Sequence, residues 1–570
     1  MEKRWNILTP DPLAVRTVAA SLNCHPAVAA AMVNRNLVDP ESASRFLNPS
    51  LAQLPDPYCL KDMDLAAKRV FAAILNREKI LVFGDYDADG VTATALILEF
   101  LEEMGARPSW YIPHRTLEGY GFHGHHTAGF KGVSLIITVD TGIGSAQAVK
   151  EAKEAGIDVV VTDHHLPEGP LPAACAVVNP KRRDCASGLN HLAGVGVAFF
   201  LCIAIRMEAR RCGYFNNHSE PNLKSYCDLV AIGTVSDMVP LVRENRILTA
   251  AGLKILREGR RPGLIALMQT ASVSPQEVSE RSIAFALAPR INAAGRMAHA
   301  ELSLRLIRAD DTVTAANLAQ ALERLNRERQ EMERHIHDQA LVMAEKAMDG
   351  CDPPALVLGA PRWHPGVVGI VAARLVRRFY RPVVLLNLEN GVGTGSARGI
   401  EGIDLCHCLS SCQDHLSSFG GHVMAAGLSL AQERLDGFAR DFGRAVAENA
   451  APDAFTETVS IDAALPLADI GPTVADQLAS MAPFGSGNPE PLFMAENLAA
   501  VTSQTVSEKH VRMTLNENGA ASESRKAIWF NATRTVAQGS TIGRACFRVQ
   551  WNRFRDFRDI QLVVEDLADS

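Results

Sequence analysis

The chain has 570 residues, 47% of them hydrophobic and 21% charged, with a formal net charge of −7. That length exceeds one hydrophobic core and implies about three or four domains, and the acidic balance excludes a surface coated in positive charge, so a nucleic acid would have to meet a local basic groove or bridging metal ions. The opening MEKRWNILTPDPLA lacks the apolar stretch of a signal peptide, the apolar run at 193–205 is too short to span a bilayer, and the 12 cysteines show no disulfide-like spacing; a reducing cytoplasm is the expected setting.

Residues 1–70 read as an N-terminal helical segment with a proline-rich patch at 54–58. From 71 to 310, apolar runs at 79–84 (KILVFG), 135–139 (LIITV) and 158–162 (DVVVT) predict buried strands, with a short fourth at 176–178. Helices are expected at 91–105 and 145–156. Strands alternating with helices imply an α/β domain with a parallel sheet. The stretch 311–350 has no proline and no internal glycine before its last residue, and it predicts one long connecting helix or two. A second α/β block is expected over 351–450. From 456 to 570 the character changes: strands at 511–515, 527–530, 546–551 and 560–564 between polar turns suit a small β-barrel.

Two clusters invite a metal reading. Cys406, His407, Cys408 and Cys412 fall on a predicted helix, where only Cys408 and Cys412 share a face; buried small hydrophobes are the expected role. His123, His125 and His126 follow a glycine-rich turn and read as a solvated loop.

The placement of the acids carries the chemistry. Asp85, Asp87 and Asp89 follow the first strand (GDYDADG), Asp140 the second (TVDTG), and Asp163, His164 and His165 the third (VTDHH). Ligands of a parallel α/β sheet bind beyond the carboxyl ends of its strands. Carboxylates crowded there repel unless cations lie between them. Aspartates with imidazoles and no thiolate favour Mn²⁺ or Mg²⁺, and two ions about 3.5–4 Å apart can activate water and clamp a phosphoryl group. Asp237 in GTVSDMVP, set among apolar residues, is a further candidate ligand. A single Asp after a strand is commonly a helix N-cap, and for Asp163 capping and support of the metal site are both open.

GDYDADG, DTG, DHH and SDMVP resemble the four motifs of the DHH phosphoesterase superfamily. LAGVGVAF (192–199), APRINAAGRM (288–297), WHPGVVG (363–369), GSAR (395–398), FGGHVMAAG (419–427) and PFGSGNPEP (483–491) are similar to one branch, the RecJ family of bacterial single-strand-specific DNA exonucleases. The resemblance runs from about residue 50 to the end. It implies a DHH domain, a connecting helix, a DHHA1 domain and an OB-fold. It also implies a metal-dependent exodeoxyribonuclease of recombination and repair, working 5′ to 3′ and releasing mononucleotides. By motif position, Asp87, Asp89, Asp140, His164 and Asp237 would ligate two ions, with Asp140 bridging and Asp85 and His165 close by. Two departures stand out: Phe122-His123 after EGYG (118–121), where an Asn is expected, and Ser236 and Met238 beside Asp237 in place of smaller or branched apolar residues.

Arg115, Arg290, Ser396, Arg398 and His422 are the candidate contacts to nucleotide or end phosphate, since glycines in GTGSARG and FGGH let backbone approach and a Ser–Arg pair can bond phosphate oxygens. Arg544, Arg548, Arg553, Arg555 and Arg558, interleaved with Phe547, Trp551, Phe554 and Phe557, fit a surface that stacks bases and neutralises phosphates; a barrel core with a basic outer face is the alternative. Single-stranded DNA is the expected partner, with a single-strand-binding protein and a helicase as further candidates, no membrane, and a monomer. The competing functions are a phosphodiesterase of short oligonucleotides or cyclic dinucleotides and a catalytically dead scaffold; the long chain argues against the first and the retained acids against the second.

Overall fold

The apolar runs build a five-stranded parallel sheet in the order Ser109–Tyr111, Ile80–Gly84, Leu135–Val139, Asp158–Thr162 and Ala176–Val178. The computed structural model describes residues 3–569 apart from 116, 168, 508, 518–523 and 555–556. Helices cover both faces of this sheet, so its central strands are buried throughout and read as unbroken apolar runs rather than alternating ones. The edge strand Ser109–Tyr111 is short and largely exposed, and it left no such signal.

Thr312–Met348 is one continuous helix of 37 residues. Asp311 caps it, accepting from the amides of Val313 and Thr314 at 2.9 and 2.8 Å. Its inward stripe joins two cores: Ala315, Ala319 and Leu322 pack with the first domain, Ile336, Ala340 and Ala344 with the second. The second domain is a mixed sheet ordered Leu416–His422, Ala425–Ala431, Val392–Arg398, Val383–Glu389 and Leu356–Ala360. GTGSARG and FGGH are therefore strands of one antiparallel ladder, not phosphate-cradling turns. Cys408 and Cys412 lie in this domain's core, as expected of small hydrophobes.

The C-terminal strands Phe493–Val506, His510–Glu517, Arg525–Trp529, Phe557–Ala568 and Thr541–Phe554 close into a five-stranded barrel, the last pairing back onto the first. Phe493–Val506 escaped the sequence reading because its alanines, Asn and Glu give little β signal.

The N-terminal segment is not purely helical. Arg4–Ile7 is a strand pairing in parallel with Thr458–Ile461. The helices Pro12–Leu22, Pro26–Val33 and Pro40–Leu47 bury Val18, Val28, Met32 and Ala43 in one core with Leu467, Leu478, Phe493 and Phe547. The two ends of the chain thus form one folding unit around the catalytic domain.

Candidate metal centre

Helix caps and backbone amides fix the acids. Asp87 is the N-cap of Ala88–Glu103, its Oδ1 accepting from the amides of Asp89 and Gly90 at 2.9 and 3.1 Å. Asp89 accepts from the amides of Gly194 and Val195 at 2.7 and 2.9 Å, at the N-terminus of the helix Gly194–Arg211. Asp140 has φ +59° and turns its carboxylate under Gly194, where a Cβ would lie 2.3 Å from Asp140 Oδ1; this close approach explains the glycine of LAGVG. Asp237 ends the helix Cys227–Ser236.

Two sets of ligand atoms lie each within 4.8 Å, one of Asp89, His164 and Asp237 and one of Asp85, Asp87 and Asp140, and a third, Asp140, His164 and His165, overlaps both. Asp140 adjoins both, since His164 Nε2 lies 3.2 Å from Asp140 Oδ1, 3.6 Å from Asp237 Oδ2 and 4.0 Å from Asp89 Oδ2. Burial, reinforced by neighbouring carboxylates, pushes Asp89 up to about 7 and Asp237 up to about 8, and holds Asp85 and Asp140 well above the usual carboxylate range. Burial and the adjacent His165 bring His164 down to about 3, so its imidazole is neutral, as a ligand must be. Asp85 Oδ1, Asp140 Oδ1 and both ring nitrogens of His164 are buried without a hydrogen-bond partner. Orphaned acceptors of this kind, hard oxygens with one imidazole, fit divalent Mn²⁺ or Mg²⁺.

Asp163 supports the site. Its carboxylate accepts from the amides of Ile143, His164 and His165 and from His165 Nδ1 at 2.8 Å. Burial opposes protonation of His165, but Asp163 outweighs it and raises the imidazole to about 9. The Tyr120 hydroxyl lies 3.0 Å from the same Nδ1, a contact that sequence reasoning missed.

Opposite the acids lies a cluster of cations. Arg115 stacks over Tyr86 at 4.9 Å. Ser396 and Arg398 project from the second domain over Gly369, and the His422 ring stacks toward His165 with centroids 6.3 Å apart. Burial first, then Arg115, depresses the Arg398 guanidinium. Arg296 belongs here and was missed: it donates to the Gly366 carbonyl at 2.8 Å, and burial followed by Arg115 and Arg329 lowers it to about 10. The motif that contains it pointed instead to Arg290, which is held at 2.7 Å by Glu323 and at 2.8 Å by the Ala286 carbonyl, so its charge is compensated inside the fold. His126 is buried rather than solvated, bonded to Glu118 at 3.2 Å and to the His123 amide at 3.0 Å.

The expected basic-aromatic face on the barrel is divided by strand alternation. Phe547 points into the core, Arg548 pairs with Glu565 at 2.6 Å, and Arg558 pairs with Asp476 while lying 3.6 Å over Trp551. The side chains of Arg553, Phe554, Arg555 and Phe557 lie outside the described residues. Trp551 instead lines a groove of about 820 Å³ between barrel and catalytic domain, shared with Met238, Phe285, Arg257 and Arg281.

Carboxylates and a neutral imidazole gathered at the carboxyl edge of a parallel sheet, facing arginines from a second α/β domain, define a DHH-type metal-dependent phosphoesterase. Three family models match in order: the DHH family N-terminal domain at 79–234, the DHHA1 domain at 352–448 and the RecJ OB domain at 461–566. The chain belongs to the RecJ family. It is 38% identical over 576 residues to the single-stranded-DNA-specific exonuclease RecJ of Bacillus subtilis (strain 168), covering 100% of this chain and 71% of the relative. To the exonuclease of the same name from Escherichia coli (strain K12) it is 37% identical, covering 89% of this chain and 90% of the relative. The crystal structure of RecJ from Thermus thermophilus in complex with Mn²⁺ superposes with a TM-score of 0.84 at 31% identity, covering 100% of this chain and 80% of that one; its Mg²⁺ complex gives 0.76 at 29%, covering 100% and 78%.

Proposed function

We infer that the chain is a single-strand-specific DNA exonuclease that hydrolyses phosphodiester bonds from the 5′ end and releases mononucleotides. The observation that carries this is the pairing of two ligand sets around Asp140 with a facing cluster of arginines. Asp89, His164 and Asp237 would hold one divalent ion and Asp85 and Asp87 the other, with Asp140 between them. Mn²⁺ or Mg²⁺ bound there supplies a water acidified toward neutral pH and a Lewis-acid grip on phosphoryl oxygen. Arg115, Arg296, Arg398 and Ser396 bind and orient the phosphate, assisted by His422. His165, pinned through Nδ1 by Asp163, keeps a proton on Nε2 beside the reacting phosphate.

The groove that begins at Met238, next to Asp237, and reaches Trp551 is the path proposed for the following nucleotides. Phe285 and Met238 are 70% and 74% exposed there and suit unpaired bases, while Arg257 and Arg281 suit the backbone. One chain supplies every proposed ligand, which supports action as a monomer; a single-strand-binding protein and a helicase are the partners proposed to supply substrate. Among the described residues no helix is long and apolar enough to cross a membrane, in keeping with a proposed cytoplasmic setting. The test is Mn²⁺-dependent digestion of strands labelled at either end, single or blunt duplex. Mononucleotides released first from 5′-labelled single strands are expected; equal rates on duplex, or release from the 3′ end, would refute the reading.

A further inference from the structure

The loop that carries Asp237 is built jointly by the catalytic domain and the C-terminal module. On the catalytic side, Asn245, fully buried, donates from Nδ2 to the carbonyl of Pro240 at 3.0 Å and to that of His191 at 2.6 Å. His191 lies three residues before Gly194, where the amides that hold Asp89 begin. One clamp therefore fixes the approaches to two proposed ligands.

The C-terminal side is the segment 483–491. The Leu241 amide donates to the Ser486 carbonyl at 2.7 Å. Gly487, at φ +70°, sits so close that a Cβ would lie 2.9 Å from Pro240 Cβ and 3.2 Å from Val242 Cγ1. Asn488 folds this segment on itself, donating to the carbonyls of Met481 and Pro483 at 3.1 and 2.8 Å. Arg246 then locks it down. Its buried guanidinium donates to the carbonyls of Phe46, Met481, Ala482 and Pro483 at 2.8–3.3 Å and stacks on Phe46 at 3.7 Å, with no carboxylate bonded to it among the described residues. Four carbonyls converging on one cation order the chain more than a single ion pair would.

We propose that Asn245, Arg246 and Gly487 are positioning residues for the Asp237 ligand, so that docking of the C-terminal module sets the divalent-ion affinity of the catalytic centre. This rests on the metal centre proposed above. The chemistry is that of outer-shell support: a carboxylate ligand held in place by its own backbone neighbours binds more tightly than one free to swing, and loss of such support commonly weakens binding by about 10–100-fold. Three consecutive residues, Glu244, Asn245 and Arg246, take part on one helix turn, Glu244 meeting His191 Nε2 at 2.7 Å. The device ties the metal affinity of the catalytic domain to the seating of the module.

The experiment titrates Mn²⁺ into the full-length metal-free chain by calorimetry and by the loss of the free-ion paramagnetic resonance signal. Gly487→Ala pushes on Pro240 from the module side; Asn245→Ala removes the clamp from the other side and serves if Gly487→Ala does not accumulate. Leu498→Ala, in the barrel core and outside the bonds described above, is the control for general destabilisation. Arg246→Lys should restore part of what Arg246→Met loses. The expected result is that Asn245→Ala and Gly487→Ala weaken one of the two binding steps at least about tenfold while folded, with Leu498→Ala within twofold of the unaltered chain despite a lower Tm. Unchanged Mn²⁺ affinity in folded Asn245→Ala and Gly487→Ala overturns the proposal, as does an equal loss in Leu498→Ala. If the unaltered chain shows no two-step binding, the metal centre itself falls, and this inference with it.

Discussion

Replacing Asp140 by Asn separates the two properties of the acid cluster, repulsion without ions and grip with them. Asp140 stands between ligand sets whose atoms lie within 4.8 Å of one another. Two full charges at that distance would repel by about 3–4 kcal/mol at an effective dielectric of 20, and burial, then Asp89, Asp87, Asp85 and Asp237, accordingly raise the Asp140 carboxyl well above the usual range. Asn keeps the shape and removes the charge, so the metal-free variant should unfold at the same temperature as the unaltered chain or higher. With Mn²⁺ at 100 times its Kd, one ion stabilises the unaltered chain by about 2.7 kcal/mol; at roughly 2–4 °C per kcal/mol for a domain of this size, Tm should rise by about 5–10 °C. The variant should show almost none of that rise and no hydrolysis. Differential scanning calorimetry with and without Mn²⁺ reads both. A metal-free Tm several degrees below the parent, or a full Mn²⁺ shift in the Asn variant, would refute a cation-bridging role for Asp140.

Arg398→Ala should lower kcat/KM about 10–100-fold, the worth of a charge-assisted hydrogen bond, and more than Arg398→Lys, because Lys lacks the bidentate fork; Mn²⁺ binding should be intact in both, and its loss would give Arg398 another role. Phe285→Ala should weaken binding of long single strands by the loss of one stacked base, about 1–3 kcal/mol, read by fluorescence anisotropy; an affinity within twofold of the parent would take Phe285 off the strand path. Deleting residues 456–570 alone should yield an aggregating, dye-binding chain, because Val18, Val28 and Met32 lose the core they share with Leu478 and Phe547; a monodisperse product with an unchanged Tm would contradict that shared core.

The catalytic half was legible because its signals are local. All the metal-site acids except Asp237 follow a short buried strand, and Ile80–Gly84, Leu135–Val139 and Asp158–Thr162 appear with nearly the bounds that their apolar runs predict. What was least legible depends on partners distant in sequence. Arg290 and Arg296 occupy one helix, Ala288–Met297. Only the position of Glu323 decides that Arg290 is paired inside the fold, while Arg296 sits buried near Arg115 and Arg398. Along Thr541–Phe554, Phe547 is taken into the core and Arg548 is taken up by Glu565, on the next strand. The strand Arg4–Ile7 exists only because Thr458–Ile461 lies beside it, more than 450 residues later.

The pairing of Arg4–Ile7 with Thr458–Ile461 ties the first residues to the C-terminal module. A C-terminal barrel joined by a simple tether could be cut away and leave the catalytic centre intact. Here the barrel shares its core with the first helices, and its segment 483–491 forms one wall of the Asp237 loop. The groove between them is lined from both sides, by Met238 and Val239 of that loop and by Gly485 and Ser486 of the segment. A strand seated against Trp551 and Phe285 would stabilise the docked arrangement by mass action, and in that arrangement Asp237 Oδ2 lies 3.6 Å from His164 Nε2. If the groove carries the strand and Asp237 holds an ion, the two are linked reciprocally: single-stranded DNA long enough to span the groove should tighten Mn²⁺ binding measured by calorimetry, and a dinucleotide too short to reach Trp551 should not; equal tightening by both would refute the link.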